Sequence, residues 1–165
     1  MEIKKAGAED IPTIKELAET IWPEAYGGII SLQQIRYMLD LIYGEDALKA
    51  QMEKGHRFAF AVHHNIAVGF SSFSKKSDEE PQIFRLHKLY VLPQQNIKGI
   101  GSFLLDQVIA ESRSAGATQL ELNVNKNNTA KIFYEKKGFT VLRDEVLDIG
   151  EGFVMDDHVM VKALM

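Results

Sequence analysis

Two glycines and one tyrosine are the first residues in this sequence whose types and spacing could do chemistry. Gly99 and Gly101 lie in the turn KGIG (98–101), between a predicted strand and a predicted helix. Such a turn presents unpaired backbone N–H groups and the positive end of the helix dipole, and both favour a bound phosphate. Tyr134, on a later short helix, could bring a proton donor to the same cleft. Together they suggest group transfer from a nucleotide-bearing donor.

Two other nucleotide sites also use glycine-rich turns. A Rossmann dinucleotide site needs a third glycine and a downstream acid that binds ribose, and the sequence lacks both in the required β-α-β unit. A P-loop needs Gly-Lys-Ser/Thr, which does not follow this turn. A G-x-G turn alone is weak evidence, so the interpretation depends on the strand before it and on Tyr134 after it.

The amino-acid composition limits which classes of protein and of functional site are possible. The chain has 165 residues, of which 45% are hydrophobic and 25% charged, so we expect a single domain over residues 1–165 with a proper core. The net charge of −4 argues against a general nucleic-acid surface. The absence of cysteine excludes disulfides, thiolate metal sites and a cysteine nucleophile, and we expect no metal.

Location is predicted from two further features. The N-terminus lacks the apolar segment of a signal peptide, and no run approaches the about 18 apolar residues of a membrane span. We therefore expect a cytoplasmic protein without a membrane partner.

Periodicity predicts a mixed sheet with helices on both faces, an α/β (α+β) fold. Helices are predicted from Pro12 until WPEAYGG (22–28) breaks the pattern, and then over 31–43, 45–53, 99–115 and a short stretch before Gly138. Strands are predicted over 1–6, 57–62, 66–74, 83–92, around 120–124, and over 139–147 and 152–163. His63 and His64 fall in a predicted hairpin turn and should be exposed.

Two motifs carry a resemblance to a known family. Tyr90-Val91-Leu92-Pro93 followed by Gly99-Ile100-Gly101 resembles a strand and pyrophosphate loop written Q/R-x-x-G-x-G/A. Asn127-x-x-Ala130-x-x-Phe133-Tyr134-Glu135-Lys136-x-Gly138-Phe139 resembles a second signature. Both of the patterns that these residues resemble are signatures of the GNAT superfamily of acyl-CoA-dependent N-acyltransferases. The resemblance covers about residues 58–165 and implies a central mixed, mostly antiparallel sheet and acetyl-CoA as cofactor.

The sequence departs from the family pattern at two places. Asn96 stands three residues before Gly99, where the family usually has Gln or Arg. That puts one side-chain contact in doubt, although the loop binds mainly through its backbone. Some members also carry an acidic general base on the preceding strand, but here residues 85–88 read Arg-Leu-His-Lys and supply no carboxylate.

The resemblance implies a set of cofactor-binding residues. Family members splay the strand 88–92 from its neighbour, so that its backbone pairs with pantetheine like an added strand. A free N–H near Leu89–Val91 can also hold the thioester carbonyl. The implied residues are Leu89, Tyr90, Val91, Asn96, Ile97, Lys98, Gly99, Ile100, Gly101, Ser102, Asn127 and Asn128.

Tyr134 is the candidate general acid, because the leaving CoA thiolate needs a proton. Its spacing alone would fit a packing tyrosine, and the motif favours the acid. The base is open. His87, predicted on one strand face with Arg85 and Leu89, has a suitable ordinary pKa near ~6.5; His158 is a weaker candidate, and deprotonation through ordered water is the third possibility.

The acceptor site is expected from the variable parts of the chain. Trp22 and Tyr26, in the segment 22–28, and the loop 150–158 are the candidates. Aromatic rings together with Glu24, Asp156 and Asp157 could receive a cationic amine, although Trp22 would equally suit a packing role. The segment 152–160 looks similar to a subgroup that acetylates diamines and polyamines.

The resulting prediction is an acetyl-CoA-dependent N-acetyltransferase that acts on a small-molecule primary amine by direct transfer. An acyl-enzyme is disfavoured because no cysteine and no Ser/His/acid set is present. Two alternatives stay open, a protein lysine or N-terminal acetyltransferase and a non-catalytic acyl-CoA sensor. A homodimer is also left open, and no nucleic-acid partner is expected.

Overall fold

The computed structural model describes residues 1–93 and 97–164. Within them, seven strands form one sheet in the order β1-β2-β3-β4-β5-β7-β6. The strands are β1 (Glu2–Ala6), β2 (Arg57–His63), β3 (Ile66–Lys75), β4 (Ile83–Val91), β5 (Gln119–Asn125), β6 (Thr140–Gly150) and β7 (Phe153–Ala163). The helices are α1 (Ile11–Tyr26), α2 (Leu32–Tyr43), α3 (Glu45–Glu53), α4 (Ile100–Ser114) and α5 (Ala130–Lys136), with a 3-10 turn at Ala8–Asp10.

The sheet is mixed and mostly antiparallel, as predicted. Only β4 and β5 pair in parallel among the described strands. Helices α1 to α3 pack on one face over Phe58, Phe60 and Phe70. Helices α4 and α5 pack on the other face over Leu120 and Leu122. We call these the α1 face and the α4 face. None of the helices in the described part of the chain is long and apolar enough to cross a membrane.

Helix α1 does not break where the sequence predicts. It continues through Pro23 and ends at Tyr26. A proline inside a helix removes one backbone hydrogen bond and costs about 3 kcal/mol. Packing offsets this cost, because the continued helix keeps Trp22 and Tyr26 on one face, where their ring centroids are 4.5 Å apart and Trp22 is buried against Tyr43 and Tyr90.

Strands β4 and β5 diverge half-way along their length. Only Ile83–Leu86 pairs with β5, ending at the partners Leu86 and Leu122. Beyond this point β4 pairs with β3 alone and β5 pairs with β7 alone. The splay that the family resemblance implies is therefore present, and it leaves one edge of β4 open from His87 onward.

A β-bulge changes which side chains of β4 face the helices. Ser72 pairs with Lys88 but the next residue, Phe73, pairs with Leu86, so His87 is an extra residue. An extra residue shifts the alternation of the strand by one. The predicted common face of His87 and Leu89 is therefore wrong: His87 lies on the α1 face, as Arg85 does, whereas Leu89 packs against the α4-face core.

We predict that Gly69 is needed for the close packing of α4 on the sheet beside this opening. A Cβ atom at Gly69 would lie 2.8 Å from the Tyr90 carbonyl oxygen and 3.2 Å from Cδ1 of Leu104. Gly69→Ala should lower the free energy of unfolding by about 1–3 kcal/mol, measured by urea denaturation. Gly28→Ala is the matched control, because nothing lies within 4 Å of its Cβ position. Equal stability of the two variants would contradict this packing.

Candidate active site

A groove opens on the α4 face where β4 leaves β5. We call it the open groove, and its walls come from the end of β4, from the last turns of α1 and from the starts of α4 and α5. The predicted cofactor residues that line it are Leu89, Tyr90, Val91, Ile97, Gly99, Ile100, Gly101, Ser102 and Asn128. Lys98 and Asn127 do not line it, and Asn96 lies outside the described residues. Tyr134 lies in the same wall.

The turn before α4 has the geometry of an anion site. Gly99 has φ of 81°, in the left-handed region that favours glycine, and it is the N-cap of α4. The first helical hydrogen bond runs from the Phe103 N–H to the Gly99 carbonyl. Within the described residues no side chain caps this end of the helix. The N–H groups of residues 100–102 are thus available to a phosphate, so a CoA pyrophosphate fits here.

The open edge of β4 can pair with an extended ligand. The Leu92 N–H donates to the Val68 carbonyl of β3 at 2.8 Å. Because backbone groups alternate sides along a strand, the N–H groups of Leu89 and Val91 face the opening instead. The end of β4 therefore offers free backbone donors beside the open groove.

Tyr134 lies on α5 with 8% of its surface exposed. Its ring packs against Phe133 and Phe139, with centroids 5.3 and 5.7 Å away. Burial raises the pKa of the Tyr134 phenol, and the nearby Tyr26 adds to the shift. The phenol is therefore protonated at neutral pH and can donate a hydrogen bond into the groove.

A second cavity lies on the α1 face, between α1, α2 and strands β4, β5 and β7. We call it the helix-side cavity. Trp22, Tyr26 and Asp157 of the predicted acceptor residues line it. Glu24 lines the open groove instead. Asp156 points to the opposite face, where it binds Lys126 at 2.9 Å.

Three tyrosines lie where the open groove and the helix-side cavity approach each other. The hydroxyls of Tyr26 and Tyr90 are 2.9 Å apart, and Tyr90 lines both the cavity and the groove. A small third cavity between β4 and β5 is lined by Tyr26, Tyr90 and Tyr134 together. The divergence of the two strands thus brings Tyr26, a predicted acceptor residue, and residues of the open groove to a common opening.

His87 is held by two neighbours on the α1 face. Its ring stacks on His56 with centroids 4.0 Å apart, and its Nε2 is 2.7 Å from Oγ of Ser74. Burial, together with the positive charges of His56, Lys88 and Arg85, lowers the pKa of His87 to about 3. Its imidazole is therefore neutral at neutral pH and binds a proton weakly.

The other histidines lie away from the opening. His158 Nδ1 is 2.6 Å from Asp144 Oδ1, and neither residue lines the helix-side cavity. In the turn between β2 and β3, His64 and Asn65 have φ of 51° and 64°, as the predicted hairpin requires. His64 is exposed, but His63 is half-buried rather than exposed as predicted.

Lys88 is a site residue that the sequence analysis missed. Its Nζ lies in the interior, donates to Oε1 of Gln51 at 2.6 Å and sits over the rings of Tyr43 and Phe58. Burial lowers the pKa of Lys88 to about 8. Strict alternation along the strand would turn Lys88 away from His87, and no sequence signal reveals the bulge.

A polar network on β5 was also missed. Arg85 donates to Oδ1 of Asn123 and lies 3.5 Å from Glu121. Nδ2 of Asn123 is directed at Asp157, 3.4 Å away, and at Glu145, 3.3 Å away. The alternation of Glu121, Asn123 and Asn125 with apolar residues was a usable signal for a polar strand face.

Comparisons with known proteins agree with this architecture. The acetyltransferase (GNAT) domain family matches residues 29–155. A spermidine N(1)-acetyltransferase of Thermoplasma acidophilum is 28% identical over 162 residues, which cover 94% of this chain and 96% of the relative. A ribosomal protein bS18 alanine N-acetyltransferase of Haemophilus influenzae is 31% identical over 78 residues, 47% of this chain and 51% of that protein.

A solved structure gives the same result at the level of the fold. The PaiA N-acetyltransferase of Thermoplasma acidophilum, solved in complex with coenzyme A, superimposes with a TM-score of 0.80 at 26% identity over 98% of both chains. The chain therefore belongs to the acetyltransferase (GNAT) family, and its predicted fold, enzyme class and acetyl-CoA dependence are those of that family.

Proposed function

We propose that this enzyme transfers the acetyl group of acetyl-CoA directly to a primary amine of a small molecule, and that the acceptor is a diamine or polyamine. The observation that carries the proposal is the opening between β4 and β5. There the open groove and the helix-side cavity meet at Tyr26, Tyr90 and Tyr134. Direct transfer needs donor and acceptor to meet from two sides, and this arrangement supports it.

The open groove is the proposed cofactor site. The N–H groups at the start of α4 would hold the pyrophosphate, and the free edge of β4 would pair with the pantetheine arm. The Leu89 and Val91 N–H groups would orient the thioester carbonyl and stabilise negative charge on its oxygen. Acetyl-CoA itself supplies the activated acetyl group as a thioester.

Tyr134 is the proposed general acid. Burial keeps the phenol protonated, and its position in the wall of the open groove, on the cofactor side of the opening, would let it donate to the leaving thiolate. For the base, His87 and ordered water both stay candidates. The lowered pKa of His87 and its bond to Ser74 favour the water route, because a group that binds a proton weakly is a poor base for an ammonium.

Two features support a small amine as the acceptor. The Thermoplasma relative that matches nearly the whole chain is named for spermidine. The helix-side cavity is also walled by α1 and α2, with Trp22 buried and Tyr26 at its inner end. A protein N-terminus is the second candidate acceptor, supported by the match to the bS18 alanine acetyltransferase over 47% of this chain. Cytoplasmic location and the absence of a nucleic-acid partner stay predictions from the sequence.

The deciding experiment is a turnover screen with acetyl-CoA, read as thiol release. We expect turnover with polyamines above that with amino acids, aminoglycosides and peptides. On the best acceptor, Tyr134→Phe should lower kcat by about 100-fold or more with the acetyl-CoA affinity unchanged, because only the proton donor is lost.

Tyr37→Phe is the matched control for the tyrosine variant. The Tyr37 phenol donates to the Ile149 carbonyl and does not line the open groove or the helix-side cavity, so kcat should stay near the wild-type value. Turnover of a peptide N-terminus but not of polyamines would support the second candidate. Unchanged kcat in Tyr134→Phe would remove this residue as the acid.

The proposed pyrophosphate loop is tested at Gly101. The atoms nearest to a Cβ at this position would be ring atoms of Phe133, the nearest at 3.5 Å, and Cγ2 of Val91, so Gly101→Ala fits the protein and should bind acetyl-CoA nearly as well as wild type. Gly101→Val adds two carbons more than alanine does in the open groove and should raise the Kd for acetyl-CoA at least about 10-fold, measured by calorimetry. Equal affinities in all three proteins would place the cofactor elsewhere.

A further inference from the structure

We propose that Asp157, assisted by Glu145, binds an ammonium group of the acceptor that remains charged during the reaction. This makes the enzyme selective for acceptors with at least two amines. The inference rests on the proposed function and deepens it, because it names the residues that would select the substrate.

The Asp157 side chain is a buried carboxylate whose oxygens are incompletely hydrogen-bonded. Asp157 lies on β7 with 1% of its surface exposed, and it lines the helix-side cavity. Oδ1 of Asp157 has no hydrogen-bond partner among the described residues. Its Oδ2 receives only the Asn123 amide, at the long distance of 3.4 Å. A buried carboxylate without a cationic partner is costly, so a cation in the cavity would be stabilised there.

A second carboxylate lies beside the first. Glu145 and Asp157 are direct partners on β6 and β7, and both accept from the single amide nitrogen of Asn123. Burial raises the pKa of Asp157, and the negative charges of Asp156 and Glu145 raise it further, against the lowering effect of the Asn123 hydrogen bond. Two neighbouring carboxylates that share one neutral donor attract an ammonium group more strongly than either would alone.

The cations of the helix-side cavity are held by other groups. Arg85 lies near Glu121, which also binds Lys76 at 3.2 Å. Lys88 donates to Gln51 and lies over two aromatic rings. In the described part of the chain, neither Arg85 nor Lys88 forms an ion pair with Asp157, so the carboxylate is left for a ligand.

The position of Asp157 suits a second ammonium rather than the reacting amine. Asp157 and Tyr26 both line the helix-side cavity, and Tyr26 but not Asp157 also lines the small cavity between β4 and β5. Tyr26 in turn bonds to Tyr90 at the opening toward Tyr134. An acceptor that extends from Asp157 past Tyr26 would present its other amine at the opening. The residues are thus ordered as charge anchor, spacer and reaction site.

The test compares two acceptors that share one carbon chain. Putrescine carries an amine at each end and n-butylamine carries one. For the wild type we expect kcat/KM to be about 10- to 100-fold higher for putrescine than for n-butylamine. This ratio corresponds to the contribution of one charge-assisted hydrogen bond. Asp157→Asn should raise KM for putrescine by a similar factor, with kcat nearly constant and KM for n-butylamine unchanged. Glu145→Gln should act in the same direction with a smaller effect.

Asp156→Asn is the matched control, because Asp156 is adjacent on β7 but points to the opposite face and binds Lys126. Its KM for putrescine should equal the wild-type value. Circular dichroism and calorimetric binding of acetyl-CoA establish that each variant is folded. If Asp157→Asn does not fold, the KM of Glu145→Gln for putrescine decides the question.

The outcomes separate this inference from the proposed function. If Asp157→Asn lowers kcat equally for both amines, Asp157 acts in the chemical step and the anchor role is overturned. An unchanged KM for putrescine in both Asp157→Asn and Glu145→Gln would also overturn it. A wild-type enzyme that turns over no small amine at all would instead overturn the proposed function.

Discussion

The parting of β4 and β5 after Leu86 and Leu122 is the constraint on which the rest of the site depends. Two strands of a sheet normally satisfy each other's backbone groups, so separating them costs hydrogen bonds unless something else pairs with the free edge. Here the free edge faces the open groove on the α4 face, while the same gap reaches the helix-side cavity on the α1 face. One break in one ladder therefore creates the open groove proposed for the donor, an entrance to the cavity proposed for the acceptor, and a connection between them.

Aromatic side chains line that gap from both faces of the sheet. Trp22, Tyr26 and Tyr90 lie within one cluster on the α1 face, and Tyr134 approaches from the other side. Burial raises the pKa of all three phenols, so the gap is lined by neutral hydroxyls that can donate or accept a hydrogen bond without carrying charge. The Nζ of Lys88 is bound to Gln51, and Asp157 lines the helix-side cavity but not the small cavity between β4 and β5.

Where local sequence patterns agree with tertiary packing, the prediction succeeds. The helices over 32–43, 45–53 and 100–114 have apolar stripes and end signals of their own, and their bounds agree within two residues. Where packing overrides the local signal, the prediction fails. Pro23 would break an isolated helix, yet α1 continues and packs Trp22, which is buried, and Tyr26, which is half-buried, on one face. The bulge at His87 is set by pairing with β3, so alternation within β4 alone assigned Leu89 to the wrong face.

The sequence by itself determined the family, the glycine turn before α4 and the tyrosine on α5, because each is encoded by a short run of neighbouring residues whose backbone preferences are local. Only the tertiary structure decided which charges share a cavity. Asp157, Glu145 and Asn123 come from three strands separated by up to 34 positions in the chain, and strand register alone brings them together. No local sequence pattern connects residues so far apart, since they come into contact only after the sheet has formed.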